Sequence, residues 1–264
     1  MSFERELAVA RQLAADAGNL ALKYQREGFE VEDKPDDSPV TAADKACEKL
    51  FASRLEAEFP GDGLLGEEGA SKTGTSGRRW IIDPIDGTRD FVRGNRLWSS
   101  LLGLEVDGVI EVGVATFPSL DEQYYAVRGG GAFRARNGEV TRLKASSIDS
   151  VERAVACVLQ FNNVAIRPHA DRLLPFMARF WAVRSLGGAW DSMFVASGQA
   201  EFWLEPSARP WDLAAISVIC KEAGCRYFDY AGNDTIYGGN AVVVTPALEA
   251  EVRMFLGLSG EPVA

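Results

Sequence analysis

The chain has one histidine, His169, in 264 residues. That scarcity excludes zinc sites built on several imidazoles and works against a Ser-His-Asp hydrolase. Placed behind Pro168 in RPHADR, His169 reads as a surface or helix-start residue. The four cysteines, Cys47, Cys157, Cys220 and Cys225, form no CxxC pair, so zinc and dithiol redox chemistry are weak readings and reduced, buried thiols are expected. No GxxxxGK[ST] phosphate loop occurs. No apolar run approaches the roughly 18 residues of a membrane span, and the opening MSFERELAVARQLAADAG has no hydrophobic core of a secretory signal. A cytoplasmic protein without a membrane partner is expected. Basic excess is also missing: 28 Lys and Arg face 38 Asp and Glu, a net charge of −10. That argues against a nucleic-acid surface. A phosphorylated ligand stays possible if a bound cation lies between the two negative charges.

What remains is ordinary globular composition, with 47% hydrophobic and 25% charged residues and length for one large or two small domains. One GxGxxG occurs, Gly61 to Gly66. It follows a helix pattern ending at Phe59-Pro60 and runs into Glu67-Glu68, a poor floor for a pyrophosphate, so dinucleotide binding is rejected. Leu7, Ala10, Leu13, Ala17, Leu20 and Tyr24 recur at helical spacing, and Thr41-Ala-Ala-Asp44 opens a second helix with Cys47, Leu50, Phe51 and Leu55 as its stripe. Leu64-Leu65 and Trp80-Ile81-Ile82 are short strand candidates, and from Trp98 two hairpins turn at Asp107-Gly108 and Asn137-Gly138. Strands and helices alternate in the second half. The reading is an α/β chain, residues 1–150 carrying an antiparallel sheet and 151–264 an alternating α/β half, packed as one compact unit with no repeat or linker.

The chemistry concentrates in Trp80–Phe91, WIIDPIDGTRDF. A buried-type strand delivers Asp83, Pro84 interrupts the ladder, Asp86 follows, and Gly87 permits a tight turn into Thr88. This order can aim both carboxylates and the Ile85 carbonyl at one point, a set of hard oxygen donors suited to Mg²⁺. The amides of Gly87 and Thr88 would lie at a helix start, where phosphate is held favourably. The plain alternative is that Asp83 and Asp86 cap a turn and Asp212, in Trp211-Asp212, is an N-cap. Glu67 in GEEG adds a further acid. Several acids converging without a cation would raise one another's pKa and weaken the fold, a cost a divalent ion removes.

Glu67 in GEEG, Asp83-Pro-Ile-Asp86-Gly-Thr88 and Trp211-Asp212-Leu-Ala-Ala resemble, in order and spacing, the signatures of the inositol monophosphatase family. The resemblance runs over most of the chain. It implies an αβαβα sandwich, a homodimer, and two or three Mg²⁺ per site held by Glu67, Asp83, the Ile85 carbonyl, Asp86 and Asp212. It implies Asp44, Thr88 and Glu67 as the catalytic group, with Asp44 and Thr88 orienting the attacking water. Asp44 also reads as the N3 acid of a capping box, and the two roles are compatible. Lys34 resembles the family's early lysine. Gly87, Thr88, Gly188, Asp191, Glu205 and Asp212 are the implied substrate contacts. The implied activity is two-metal hydrolysis of a small phosphorylated metabolite by in-line water attack, with no covalent phospho-enzyme.

The ester is less defined. Trp98, and Glu205-Pro206 ahead of Pro210-Trp211-Asp212, resemble the histidinol-phosphate branch of histidine biosynthesis. Asp90 stands where the family commonly has Asn, and Arg96 where it has Pro. A carboxylate pair from Asp191 and Glu205 would suit an amine or imidazolium, although Asp191 reads equally as a solvated helix residue, and Trp190 falls near the substrate-contacting segment. Histidinol phosphate is favoured. Inositol 1-phosphate, a nucleotide or fructose bisphosphate, and a non-catalytic interaction protein keeping the fold are the alternatives. Whether Arg93, Arg96 or Arg184 reaches substrate stays open.

Overall fold

The computed structural model describes residues 3–33 and 39–258. Helix α1 (Glu4–Glu27) buries Leu13, Ala14, Ala17 and Ala21 on one stripe. Strands β1 (Val31–Asp33) and β2 (Pro39–Thr41) pair antiparallel and lead into α2 (Ala42–Glu58). Thr41 caps α2: its hydroxyl accepts from the amides of Ala43 and Asp44, and its own amide donates to Asp44 Oδ2 at 2.8 Å. Then come β3 (Gly63–Gly66), β4 (Ser71–Lys72), β5 (Arg78–Asp86), α3 (Thr88–Val92), β6 (Ser99–Val106), β7 (Val109–Phe117), β8 (Glu122–Val127), β9 (Gly131–Arg136) and β10 (Glu139–Arg142). They form one sheet of order β10-β9-β8-β7-β6-β5-β3-β4. Both expected hairpins are present, with positive φ at Asp107 and Gly108 and at Asn137 and Gly138, as two-residue turns of this hand require. The last four residues of the GxGxxG are strand β3, so the motif opens no helix.

The second half supplies β11 (Val155–Val158), α4 (Phe161–Val164), α5 (Ala170–Met177), β12 (Ala182–Arg184), α6 (Gly188–Ala196), β13 (Phe202–Glu205), α7 (Pro210–Glu222), β14 (Arg226–Phe228), β15 (Ala241–Val244) and α8 (Glu249–Leu256). Its sheet runs β12-β11-β13-β15-β14. The sequence pattern did not mark β1, β2, β4, α4 or β14; each has four residues or fewer, too short for a periodicity to show.

Alternating side chains sort the layers. Trp80 and Ile82 pack with α1 and α2, whereas Ile81 faces α6 and α7. From the other sheet Trp203 faces α6 and α7, whereas Phe202 and Leu204 face α5 and α8. The result is the expected αβαβα sandwich, with α6 and α7 as its middle layer. Gly103 and Gly113, paired across β6 and β7, bring α7 against the sheet backbone: a Cβ on Gly103 would lie 2.7 Å from Ala214 Cβ, and one on Gly113 2.7 Å from the Ala215 carbonyl oxygen. The four cysteines are free and buried. His169 does start a helix, as N-cap of α5, but it is 2% exposed, stacked edge-on against Tyr230 and Phe255, so the surface reading is corrected.

The strand directions place a site. In the first sheet β3 and β5 are the parallel pair, and their carboxyl ends carry Gly66-Glu67 and Asp83–Asp86. In the second, β11, β12 and β13 are parallel, and their carboxyl ends lead to Gln160, Gly187-Gly188 and Glu205. Both sets of ends, with the first turn of α7, open into one cavity of about 280 Å³.

Candidate active site

Strand β5 does not stop at Pro84 as expected. It continues to Asp86, which pairs with Ser99, and the missing proline donor is absorbed by a register shift between Asp83 and Asp86. The Ser100 hydroxyl donates to the Pro84 carbonyl at 2.7 Å. Asp83 is thereby turned inward, 1% exposed, and Asp86 lines the cavity. Gly87 then adopts φ +84° and starts α3, with its carbonyl accepting from Asp90 and Phe91. The carbonyl of Ile85 accepts the Thr88 hydroxyl at 3.1 Å.

Asp83, Asp86 and Asp212 bring carboxylate oxygens within 4.8 Å of one another. Asp212 is the third residue of α7, not its N-cap. Its Oδ2 accepts from the Arg209 amide at 2.7 Å, closing the first turn and orienting the rest of the carboxylate. Asp44 repeats the device in α2. Its Oδ2 holds the Thr41 cap, while Oδ1 faces the Thr88 hydroxyl at 3.4 Å. Capping and site chemistry thus use different oxygens of one carboxylate.

Asp86 Oδ2 accepts from the Ser99 hydroxyl at 3.2 Å and the Ala189 amide at 3.0 Å. Gly188 is required there: a Cβ would sit 2.5 Å from that same oxygen. Glu67 lines the cavity and hydrogen-bonds the Asp83 carboxyl. The loop carrying it is held by Glu48 of α2, whose carboxylate accepts from the amides of Glu68 and Ala70 at 2.8 and 2.7 Å.

Electrostatics follow from this crowding. Asp83 is raised well above the usual carboxylate range, first by burial and then by the charges of Glu67, Asp86 and Asp212. Burial chiefly raises Asp86 to about 6 and Asp212 to about 7. Asp44 is raised by burial against the lowering effect of its Thr41 hydrogen bonds. The cavity wall presents Glu67, Asp86, Asp90, Glu205 and Asp212 with Arg89 as its one cation among the described residues. Asp83 Oδ1 is buried without a hydrogen-bond partner among the described residues. A phosphate dianion would be repelled by this wall alone. A hard divalent cation fits it, supplying both the charge and the orphaned oxygen's partner.

The structure divides the expected substrate contacts. Gly87, Thr88, Gly188, Glu205 and Asp212 line the cavity. Asp191 does not, and neither is it solvated: it is fully buried, accepts from the amides of Leu186 and Gly187, and anchors the turn before α6. The expected Asp191–Glu205 pair is therefore corrected; the acid sharing the cavity with Glu205 on the α3 side is Asp90, whose Oδ1 accepts from Asn95. Trp190 packs on Phe117, Tyr124 and Phe194 in the core. Arg93, Arg96 and Arg184 do not line the cavity; Arg96 binds the Ser119 carbonyl and Arg184 the Val183 carbonyl. Lys34 lies outside the described residues.

Sequence reasoning missed Glu48, Ser99, Gln160 and Trp203. A signal existed for Glu48, an acid next to the Cys47–Phe51 stripe of α2. Gln160 had none, because only the pairing of β11 with β13 sets it beside Glu205.

A family model, the inositol monophosphatase family, matches residues 3–255. The chain is 41% identical to a histidinol-phosphatase of Chlorobaculum parvum over 239 residues, 90% of this chain and 91% of that protein. It is 38% identical to a histidinol-phosphatase of Mycobacterium tuberculosis over 251 residues, 94% of this chain and 96% of that one. Among solved structures it superposes on a Thermotoga maritima IMPase with TM-score 0.85 and 29% identity, covering 96% of this chain and 97% of that one.

Proposed function

Because the chain belongs to the inositol monophosphatase family and is a phosphoric monoester hydrolase of a small phosphate ester, we propose that it hydrolyses histidinol phosphate and that the divalent ion it uses is Mg²⁺, two or three per site. The observation that carries the metal reading is the inward-turned Asp83, its Oδ1 unpartnered among Glu67, Asp86 and Asp212. The substrate reading is supported by the two histidinol-phosphatase relatives and by the Glu205 carboxylate on the cavity wall, which favours a leaving group with a basic nitrogen.

Glu67, Asp83, Asp86, Asp212 and the Ile85 carbonyl would hold the ions. Bound there, Mg²⁺ supplies Lewis-acid polarisation of phosphoryl oxygens and positive charge for the leaving oxygen. The Thr88 hydroxyl lies within reach of both Ile85 O and Asp44 Oδ1, so it can turn from one to the other and orient a water for attack. Asp44, raised by burial, can take the proton that Thr88 passes on. The Gly87-Thr88 turn faces the cavity and offers amides to phosphoryl oxygens. Glu205 holds the alcohol side of the ester at the opposite end.

Phosphate release with and without Mg²⁺ tests the reading on histidinol phosphate, inositol 1-phosphate, fructose 1,6-bisphosphate and 3′-phosphoadenosine 5′-phosphate. The expected result is Mg²⁺-dependent turnover with the highest kcat/KM for histidinol phosphate. Preference for inositol 1-phosphate would move the chain to that branch, and no turnover of any ester would support a non-catalytic interaction protein.

The reading includes a homodimer and a cytoplasmic setting. The four unpaired cysteines fit a reducing compartment, and no helix among the described residues is long and apolar enough to cross a membrane. At β12, the edge strand of the second sheet among the described residues, Trp181 and Val183 are exposed together with the strand's outer edge, a surface that a second copy would cover. Sedimentation is expected to give twice the 28.7 kDa chain mass, with Trp181→Asp shifting it toward one. A monomeric wild type at micromolar concentration would sink the dimer.

A further inference from the structure

Beyond the acid cluster, the cavity continues past Leu159, Gln160, Trp203, Glu205 and Ser207. Trp203 and Glu205 are two apart on β13, on the same face of the sheet and about 6.6 Å apart along the strand. The register Val158↔Leu204 brings Gln160, just beyond β11, beside Glu205. Gln160 holds φ +50°, a left-handed conformation costly for a residue with a Cβ and tolerated where the surroundings enforce it. Its side-chain amide is committed at both ends. Nε2 donates to Glu205 Oε1 at 2.9 Å and to the Ser207 carbonyl at 3.3 Å, and Oε1 accepts from Asn163 Nδ2 at 2.5 Å. The Ser207 amide also donates to Glu205 Oε1 at 3.3 Å. Oε1 is thereby consumed, and Oε2 is the oxygen left for a ligand. Trp203 is 1% exposed, and its indole N–H has no hydrogen-bond partner among the described residues. Trp80, by contrast, donates its indole N–H to Asp62. A buried donor without a partner destabilises the protein unless a ligand takes it up.

We propose that Trp203 and Gln160 read the leaving group: Trp203 donates its indole N–H to an acceptor on the alcohol, and Gln160 is the positioning residue that fixes Glu205 so that Oε2 accepts from a donor on the same alcohol. The pair selects alcohols carrying both kinds of group, an acceptor for the indole N–H and a nitrogen donor for Glu205 Oε2. This rests on the phosphatase reading above. It adds to that reading two residues which neither the motifs nor the capping pattern single out.

The test compares histidinol phosphate with p-nitrophenyl phosphate, whose leaving group lacks a nitrogen donor, in the wild type, Trp203→Phe and Gln160→Ala. Trp203→Phe keeps the ring and removes the N–H, and Gln160 lies at the exposed rim, so its truncation leaves the core intact. Each variant is expected to raise KM for histidinol phosphate about tenfold with kcat within about threefold, the size of one lost hydrogen bond to a charged or fixed partner. The loss in kcat/KM should be about tenfold greater on histidinol phosphate than on p-nitrophenyl phosphate. Equal losses on both esters, a fall in kcat alone, or no loss would overturn this inference while leaving the phosphatase reading standing. A wild type that turns over neither ester with Mg²⁺ overturns both.

Discussion

Asp83→Asn is expected to lower Mg²⁺-dependent phosphate release by at least about a thousandfold, roughly 4 kcal/mol of transition-state stabilisation, and at the same time to raise the melting temperature of the metal-free protein. Both effects have one cause. Asp83 sits 1% exposed beside Glu67, Asp86 and Asp212, with Oδ1 unpartnered among the described residues. For catalysis its two oxygens are the shared corner of the acid cluster, and an amide offers one oxygen and no charge. For folding without metal, that same charge is repelled by three neighbours and costs its desolvation; Asn removes the repulsion and adds an N–H that a neighbouring carboxylate can accept. A gain of about 1–3 kcal/mol in the metal-free state corresponds to roughly 2–10 °C for a chain of this size. Phosphate release and calorimetry on metal-stripped protein check the two halves separately. Activity within tenfold of wild type, or a lower metal-free melting temperature at pH 8, would contradict the account.

The second large effect is the pH dependence of the metal-free protein and its reversal by Mg²⁺. Burial chiefly raises Asp86 to about 6 and Asp212 to about 7 from the usual carboxylate range near 4, and it raises Asp83 and Glu205 as well. A folded-state pKa above the unfolded one means that the folded chain binds more protons between those values. Stability is then fully present below about pH 4 and is lost as pH rises through 6 and 7. Metal-stripped protein is therefore expected to melt roughly 5–10 °C lower at pH 8 than at pH 5, the equivalent of about 2–3 kcal/mol. Mg²⁺ competes with these protons. At a hundredfold above its Kd it adds about 2.7 kcal/mol, and the gain should be large at pH 8 and small at pH 5. The melt is expected as a single transition, because α7 of the second half packs on the glycine-lined face of the first sheet. A pH-flat melting temperature without metal, or equal Mg²⁺ gains at both pH values, would remove the acid cluster from the stability argument.

The features legible in the sequence are those whose cause lies within a few residues. Thr41 with Asp44 three residues later is a complete helix start, and Asp107-Gly108 and Asn137-Gly138 are complete turns, because each carries its own hydrogen-bond partners or its own permissive φ. The Asp83–Thr88 segment is of the same kind, apart from the continuation of β5 through Pro84 by a bulge. Asp191 reads from sequence as a substrate contact or a solvated helix residue; in the fold it is neither, since its carboxylate closes on the amides of Leu186 and Gly187, five and four residues earlier, a short-range contact that carries no recognised motif. The roles of Glu48 and Gln160 are the opposite case: they act on chain 20 and 45 residues away, so the position of Glu48 beside the α2 stripe marks it only as buried, and nothing local marks Gln160.

By itself, then, the amino-acid sequence determined the capped helices, the hairpins, the acid-bearing DPIDGT turn and the family to which the chain belongs. Each of these is set by short-range sterics and hydrogen bonds, or by a motif whose spacing survives any packing. Only the tertiary structure decided which acids share a cavity. The parallel strands of both sheets end at that one point, and the Gly103–Gly113 pair lets α7 come close enough to place Asp212 there. Convergence of charges is a property of distances between segments remote in sequence, and those distances are fixed by the packing of the layers.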